Sequence, residues 1–199
     1  MEIEQHILKL IENLRHVDNN AHLNERYLHH LFSRQIQNDY PIELNCESQL
    51  HPEWATSIKD KREGGLYKKI GNSYEIVETD GSSGFIDFAI GNAEKPECAI
   101  EFKMSTHFNK EGLIYDYMKL LDGRNHFDKA ISIAVYYGHS SHSSMCEADV
   151  LNDCFNMAVS RLKGVFSGRP YRFFFVEIID RKIEKRFECS SNRGFVEFN

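Results

Sequence analysis

The sequence predicts an α/β (α+β) fold, a central mixed β-sheet flanked by helices. Three observations predict it. Apolar residues recur at helical spacing near the N-terminus: Ile3, Ile7, Leu10, Ile11 and Leu14, then Leu28, Leu31, Phe32 and Ile36. Later segments are short, apolar and rich in β-branched and aromatic residues, such as FIDFAI at 85–90 and YRFFFVEII at 171–179. The order runs from helices through a meander of strands to helix–strand–helix–strand, which lays helices over a mixed sheet.

Each element follows from its own residues. Residues 2–15 (EIEQHILKLIENLR) carry the first helical stripe, and the polar HVDNN that follows offers Asn and Asp as caps. The second helix spans 21–37 and is stopped by Pro41; IELNCESQL at 42–50 then alternates as a strand does. Residues 55–83 are the most polar stretch. Within it, KDKREGGLYKK at 59–69 gathers five basic residues around Gly64-Gly65 and reads as a loop or exposed hairpin arm. A strand is expected over 73–79. FIDFAI and ECAIEFKM at 97–104 form a hairpin. Residues 111–124 form a helix with Leu113, Ile114, Tyr117, Leu120 and Leu121 on one face. AISIAVYYG at 130–138 is a buried strand, 147–166 a long amphipathic helix and YRFFFVEII another buried strand; IEKRFE and RGFVEF close the chain. No repeat or linker divides residues 1–199, so one domain is expected.

Composition excludes several classes of function. With 199 residues, 41% of them hydrophobic and 14 of them Phe, the chain supports a real core and is not a disordered segment. No apolar run nears the roughly 20 residues of a membrane span. The acidic, amphipathic MEIEQHILKL is not a secretory signal, and five Cys without scaffold spacing suit reduced thiols, so a cytoplasmic location is expected. A formal net charge of −6 argues against a basic coat but leaves room for a local basic groove. The motifs G-x-x-x-x-G-K-[ST], G-x-S-x-G and G-x-G-x-x-G do not occur, so nucleotide-driven and acyl-transfer chemistry has no support in the sequence.

The hairpin at 85–104 carries charge inside apolar strands: Asp87 in the first, Glu101 and Lys103 in the second. Charges persist in buried strands when they are paired or bind a metal. Side-chain alternation puts Ile86, Phe88 and Ile90 on one face and Phe85, Asp87 and Ala89 on the other. In the second strand, Ala99, Glu101 and Lys103 share a face. If the hairpin closes symmetrically about residue 94, Asp87 stands opposite Glu101 with Lys103 one pleat on. Opposed side chains lie roughly 4.5–5.5 Å apart at Cβ, and two like charges there repel. A divalent cation resolves the conflict, and carboxylate oxygens suit Mg²⁺ or Mn²⁺.

Asp87, thirteen intervening residues, then Glu101-Phe102-Lys103 resembles the PD-(D/E)XK nuclease superfamily, with Ile86 where the family name has Pro. The resemblance covers residues 21–137 as a restriction-endonuclease-like core and leaves 147–199 as a helix–strand extension. It implies a metal-dependent phosphodiester hydrolase acting on DNA. Asp87 and Glu101 would hold a divalent cation, the Phe102 carbonyl would complete its ligands, and Lys103 would assist the attacking water. Glu25, on the helix before the sheet, would serve a second metal or a metal-bound water. Lys119, and Arg124 behind it, would face the phosphate. A non-catalytic nucleic-acid-binding or regulatory protein with the same fold is the alternative.

Other residues carry less. Lys59, Lys61, Arg62, Lys68 and Lys69 are candidates for DNA-backbone contact. DNA and a second copy of the chain are the expected partners, with no membrane. His139, His142, Cys146 and Cys154 lack the tighter cysteine spacing of a zinc pair and read as a Ser/His loop feeding a helix. His29, His30 and His107 read as surface or core-edge histidines, with His107 placed to touch substrate.

Overall fold

The structure, a computed structural model, describes residues 2–14, 24–40, 50–55, 66–78, 80–92, 94–107, 109–138, 146–162 and 164–198. Two helices come first: α1 (Ile3–Asn13) and α2 (Glu25–Ile36). In α1, Ile3, Ile7, Leu10 and Ile11 are buried, the stripe that i, i+4, i+7 and i+8 spacing dictates. Asn24 caps α2 through its side chain, which accepts from the Tyr27 N–H at 3.0 Å, and Leu28, Phe32 and Ile36 form its buried stripe.

The strands are β1 (Leu50–Ala55), β2 (Leu66–Ile70), β3 (Ser73–Val77), β4 (Ser82–Ser83), β5 (Phe85–Gly91) and β6 (Pro96–Ser105), and then β7 (Lys129–Gly138), β8 (Tyr171–Ile179), β9 (Lys182–Ser190) and β10 (Arg193–Glu197). Helix α3 (Lys110–Leu121) lies between β6 and β7, and α4 (Ala148–Arg161) between β7 and β8. Seven strands make one mixed sheet in the order β1-β5-β6-β7-β8-β9-β10. Strands β6, β7 and β8 run parallel and the remaining pairs antiparallel. Each parallel step needs a crossover, which α3 and α4 supply. A smaller sheet, β3-β2-β4, packs on α3: Tyr74 stacks on Tyr115 at 4.1 Å between ring centroids, and Tyr67 meets the same ring edge-on at 5.5 Å.

The main sheet separates two apolar layers. On one face, α1 and α2 cover Phe88, Ile90, Ile100, Phe102, Ile133 and Phe174. On the other, α3 and α4 cover Ile86, Ala99, Ala134, Phe173 and Phe175. Strands buried on both faces read as unbroken apolar runs, and the FFFV of β8 is the clearest case.

Three expectations meet the structure as follows. The strand expected over 42–50 falls largely outside the described residues, and the described strand β1 uses LHPEWA. The described end of the polar arm, Leu66 to Lys69, is one strand of an antiparallel hairpin with β3, with Lys68 and Lys69 exposed as a hairpin arm would leave them, while Lys59, Lys61 and Arg62 lie outside the described residues. The alternation of β5 breaks at Asp87: Ile86 packs toward α3 and α4, whereas Phe88 and Ile90 pack toward α1 and α2. At this position Phe102 donates its backbone N–H to the Asp87 side chain, Oδ2, at 2.7 Å.

Candidate metal centre

The register of β5 and β6 places the acidic residues. Phe88 pairs with Ile100, Ala89 with Ala99 and Ile90 with Cys98, and the same count carried one residue outward sets Asp87 against Glu101. The two carboxylates nevertheless turn apart. Asp87 points into the gap between the strands, toward Phe102 N–H and, at 3.3 Å, His29 Nε2 of α2. Glu101 turns to the other face of the sheet, toward α3. Its Oε2 accepts from the Asp87 N–H at 3.3 Å, and its Oε1 lies 2.5 Å from Lys119 Nζ. The expected repulsion is therefore relieved by separate partners.

Lys119 is the centre of the buried side. It is 4% exposed, contacts Asp116 Oδ1 at 3.2 Å and donates to the Phe85 carbonyl at 2.9 Å as well as to Glu101. Burial works to lower the pKa of this ammonium, but Glu101 and Asp116 outweigh it and raise the value, so Lys119 stays charged. Burial pushes the Glu101 carboxyl up, and Lys119 opposes that push. With a charged lysine at 2.5 Å, Glu101 is the ionised partner of an ion pair. Gly84 makes room for this arrangement: a Cβ there would come within 2.8 Å of Lys119 Cδ and 3.0 Å of Tyr115 Oη.

Lys103, on the same side of β6 as Glu101, bridges the two helices. Its Nζ is 3.6 Å from Glu25 Oε2 of α2 and 4.0 Å from Asp116 Oδ2 of α3. Partial burial works against its charge, but Asp116, Glu25 and Glu101 raise its pKa overall. Glu25, His29 and Asp87 then form one cluster, in which one ligand atom from each lies within 4.8 Å of the others. His29 and Asp87 also line a depression of about 370 Å³ with His30, Ser33, Pro52, Glu53 and Phe88. Glu101, 5% exposed, lies behind this opening and outside that cluster.

Several expected site residues take other places. Lys119 does not face a phosphate; its charge is spent inside the protein on Glu101 and Asp116. Arg124 is engaged by the fully buried Asp122, its Nε at 3.0 Å and Nη2 at 2.8 Å from the two carboxylate oxygens. The reason is the turn after α3, where Asp122 also accepts from Tyr67 Oη and needs a cation beside it. Phe102 is fully buried, its ring against Phe32, Phe88 and His29. Lys68 and Lys69 are exposed on β2. His107 is exposed just past β6. His139 and His142 lie outside the described residues, and Cys146 and Cys154 are buried.

Sequence reasoning missed two residues of this site, His29 and Asp116. Both carried a signal. His29 is one helical turn from Glu25, and Asp116 is three residues before Lys119, the spacings that bring side chains together on a helix. No protein-family model matches the chain, and no curated protein matches it.

Proposed function

We propose that this chain is a metal-dependent nuclease that hydrolyses phosphodiester bonds in DNA, built on a restriction-endonuclease-like core. One observation carries the reading. Asp87 bonds directly to the N–H of Phe102, the middle residue of Glu101-Phe102-Lys103, so the isolated acid and the E-x-K run form one joined unit. The order of elements supports it: α2, then the antiparallel neighbours β1, β5 and β6, then α3, then β7 parallel to β6.

The donor set fits a divalent cation. Glu25, His29 and Asp87 are half-buried with one ligand atom of each within 4.8 Å of the others, and His29 and Asp87 line an open depression. Glu101 would join them on releasing Lys119. A bound Mg²⁺ or Mn²⁺ supplies Lewis acidity and water activation. The chain's own residues do the rest. Asp87, at the depression, and Glu25 beside His29 would supply negative charge. Lys103, held near Glu25 and Asp116, would orient the attacking water or stabilise charge developing on the phosphate. Lys68 and Lys69, exposed on β2, would meet a DNA backbone.

A second reading, a non-catalytic nucleic-acid-binding or regulatory protein of the same architecture, is favoured by one fact: Lys119 already neutralises Glu101, a service a metal would otherwise perform. Cleavage of plasmid and oligonucleotide DNA with Mg²⁺ and with Mn²⁺ separates the two. The nuclease reading expects wild type to cleave and Lys103→Ala to lose about 10²-fold or more. Binding of DNA with no cleavage in either metal supports the second reading.

A further inference from the structure

The outward face of α2 carries a second group of charges. Arg26, His30 and Arg34 follow one another at i, i+4 and i+8, and all three are exposed. The buried stripe of Leu28, Phe32 and Ile36 turns that face outward. Four residues make slightly more than one helical turn, so the row climbs about 6 Å per step and drifts about 40° around the axis. The drift links two hollows of the surface. His30 and Ser33 line the depression that Asp87 also lines. Arg34 lines a groove of about 320 Å³ between α1 and α2, with Lys9 of α1 on its other side.

These charges are available to a ligand. Among the described residues, the side chains of Arg26, His30 and Arg34 enter no hydrogen bond or ion pair. The acids of the two helices and their ends are engaged elsewhere: Glu25 by Lys103, Asp39 by His6 and Glu12 by Arg186. Glu53 and Asp87 make the depression itself acidic, so attraction for a polyanion has to come from the row beside it. Helix stability does not explain the row. The dipole of α2 favours Arg34 in the last turn but disfavours Arg26 in the first. Arginine also matches a phosphate through a planar fork of donors, and phosphate contacts position a strand without reading its sequence.

We propose that Arg26, His30 and Arg34, continued by Lys9, form a track for the phosphate backbone of duplex DNA that leads a strand to the depression at Asp87. The inference rests on the preceding reading only for DNA as the polyanion.

The test reads binding and not the reaction. Labelled duplexes of two unrelated sequences are titrated with the full chain by fluorescence anisotropy over a range of salt, with chelator present so that no strand is cut. Wild type is compared with Arg26→Gln/Arg34→Gln and with Lys95→Gln/Lys182→Gln, which removes the same charge at two other exposed positions. Each phosphate contact contributes about 0.9 to the slope of log affinity against log salt on duplex DNA, so the arginine pair is expected to lower the slope by about 1.8 and to weaken both sequences alike. The lysine pair is expected to keep the wild-type slope. Wild type that binds neither duplex, an unchanged slope in the arginine pair, or an equal loss in the lysine pair overturns the proposal. A lowered slope in the arginine pair, with no cleavage by wild type in Mg²⁺ or Mn²⁺, would defeat the nuclease reading and leave the track standing. Cleavage with an unchanged slope would do the reverse.

Discussion

Lys119 makes the most consequential contacts of any single residue. It is buried, charged and shared between Glu101 and Asp116, so its removal strands two carboxylates away from water. Lys119→Met is expected to cost about 3–5 kcal/mol of stability in the metal-free protein, read as a shift of the urea midpoint. Adding Glu101→Gln to it is expected to restore part of that loss, because one orphaned charge is gone. Equal midpoints for wild type and Lys119→Met would place Lys119 outside the ion pair. The sequence shows Lys119 and Asp116 at i, i+3 spacing but not their burial. On its own stripe α3 exposes that side; it is buried because β3 of the small sheet and β6 pack against it, and long-range packing of that kind leaves no mark in α3 itself. Asp87 shows the complementary case. Its place opposite Glu101 was legible from hairpin length alone. Its turn out of the pleat was not, because that depends on a bond to the backbone of another strand.

At the scale of elements, α3 and α4 are tied by Glu111 and Arg161, whose two pairs of atoms lie 2.6 and 2.8 Å apart. The hydrogen bonds from Arg161 hold the Glu111 carboxyl below its ordinary value of 4.5. The sign follows from that depression. The pair contributes its full stability above pH 4.5 and loses it as pH falls through the lowered value. Glu111→Gln is expected to cost about 1 kcal/mol at neutral pH, and the gap in thermal midpoint from wild type should close as the pH falls below the carboxylate range. A gap that stays constant with pH would assign the loss to packing. Helix positions and the runs of β6, β7 and β8 were readable from apolar spacing, since burial on one stripe or on both faces writes itself into composition. The polar stretch before β5 was harder. Strands β2, β3 and β4 are short and partly exposed, and their order depends on the ring of Tyr115 in a later helix.

The whole molecule sets what the site is able to do. One seven-stranded sheet carries α1 and α2 on one face and α3 and α4 on the other, and no described helix is long and apolar enough to cross a membrane. At β5 and β6 the two layers meet through the sheet: Asp87 reaches toward α2, Glu101 toward α3, and Lys103 touches both helices. A net charge of −6 provides no general attraction for nucleic acid, so the proposed hydrolysis would rest on this local group of charges. Asp87 is the residue on which that account turns. Asp87→Asn keeps an oxygen to accept the Phe102 N–H and removes the charge a cation needs, so it separates chemistry from folding. The decisive measurement is single-turnover cleavage of end-labelled DNA by purified wild type and Asp87→Asn, each with Mn²⁺ and with chelator, at matched thermal stability. The account predicts cleavage by wild type only with Mn²⁺, and a loss of at least about 10²-fold in Asp87→Asn. Cleavage that survives in Asp87→Asn, or that wild type fails to perform with metal present, would contradict it.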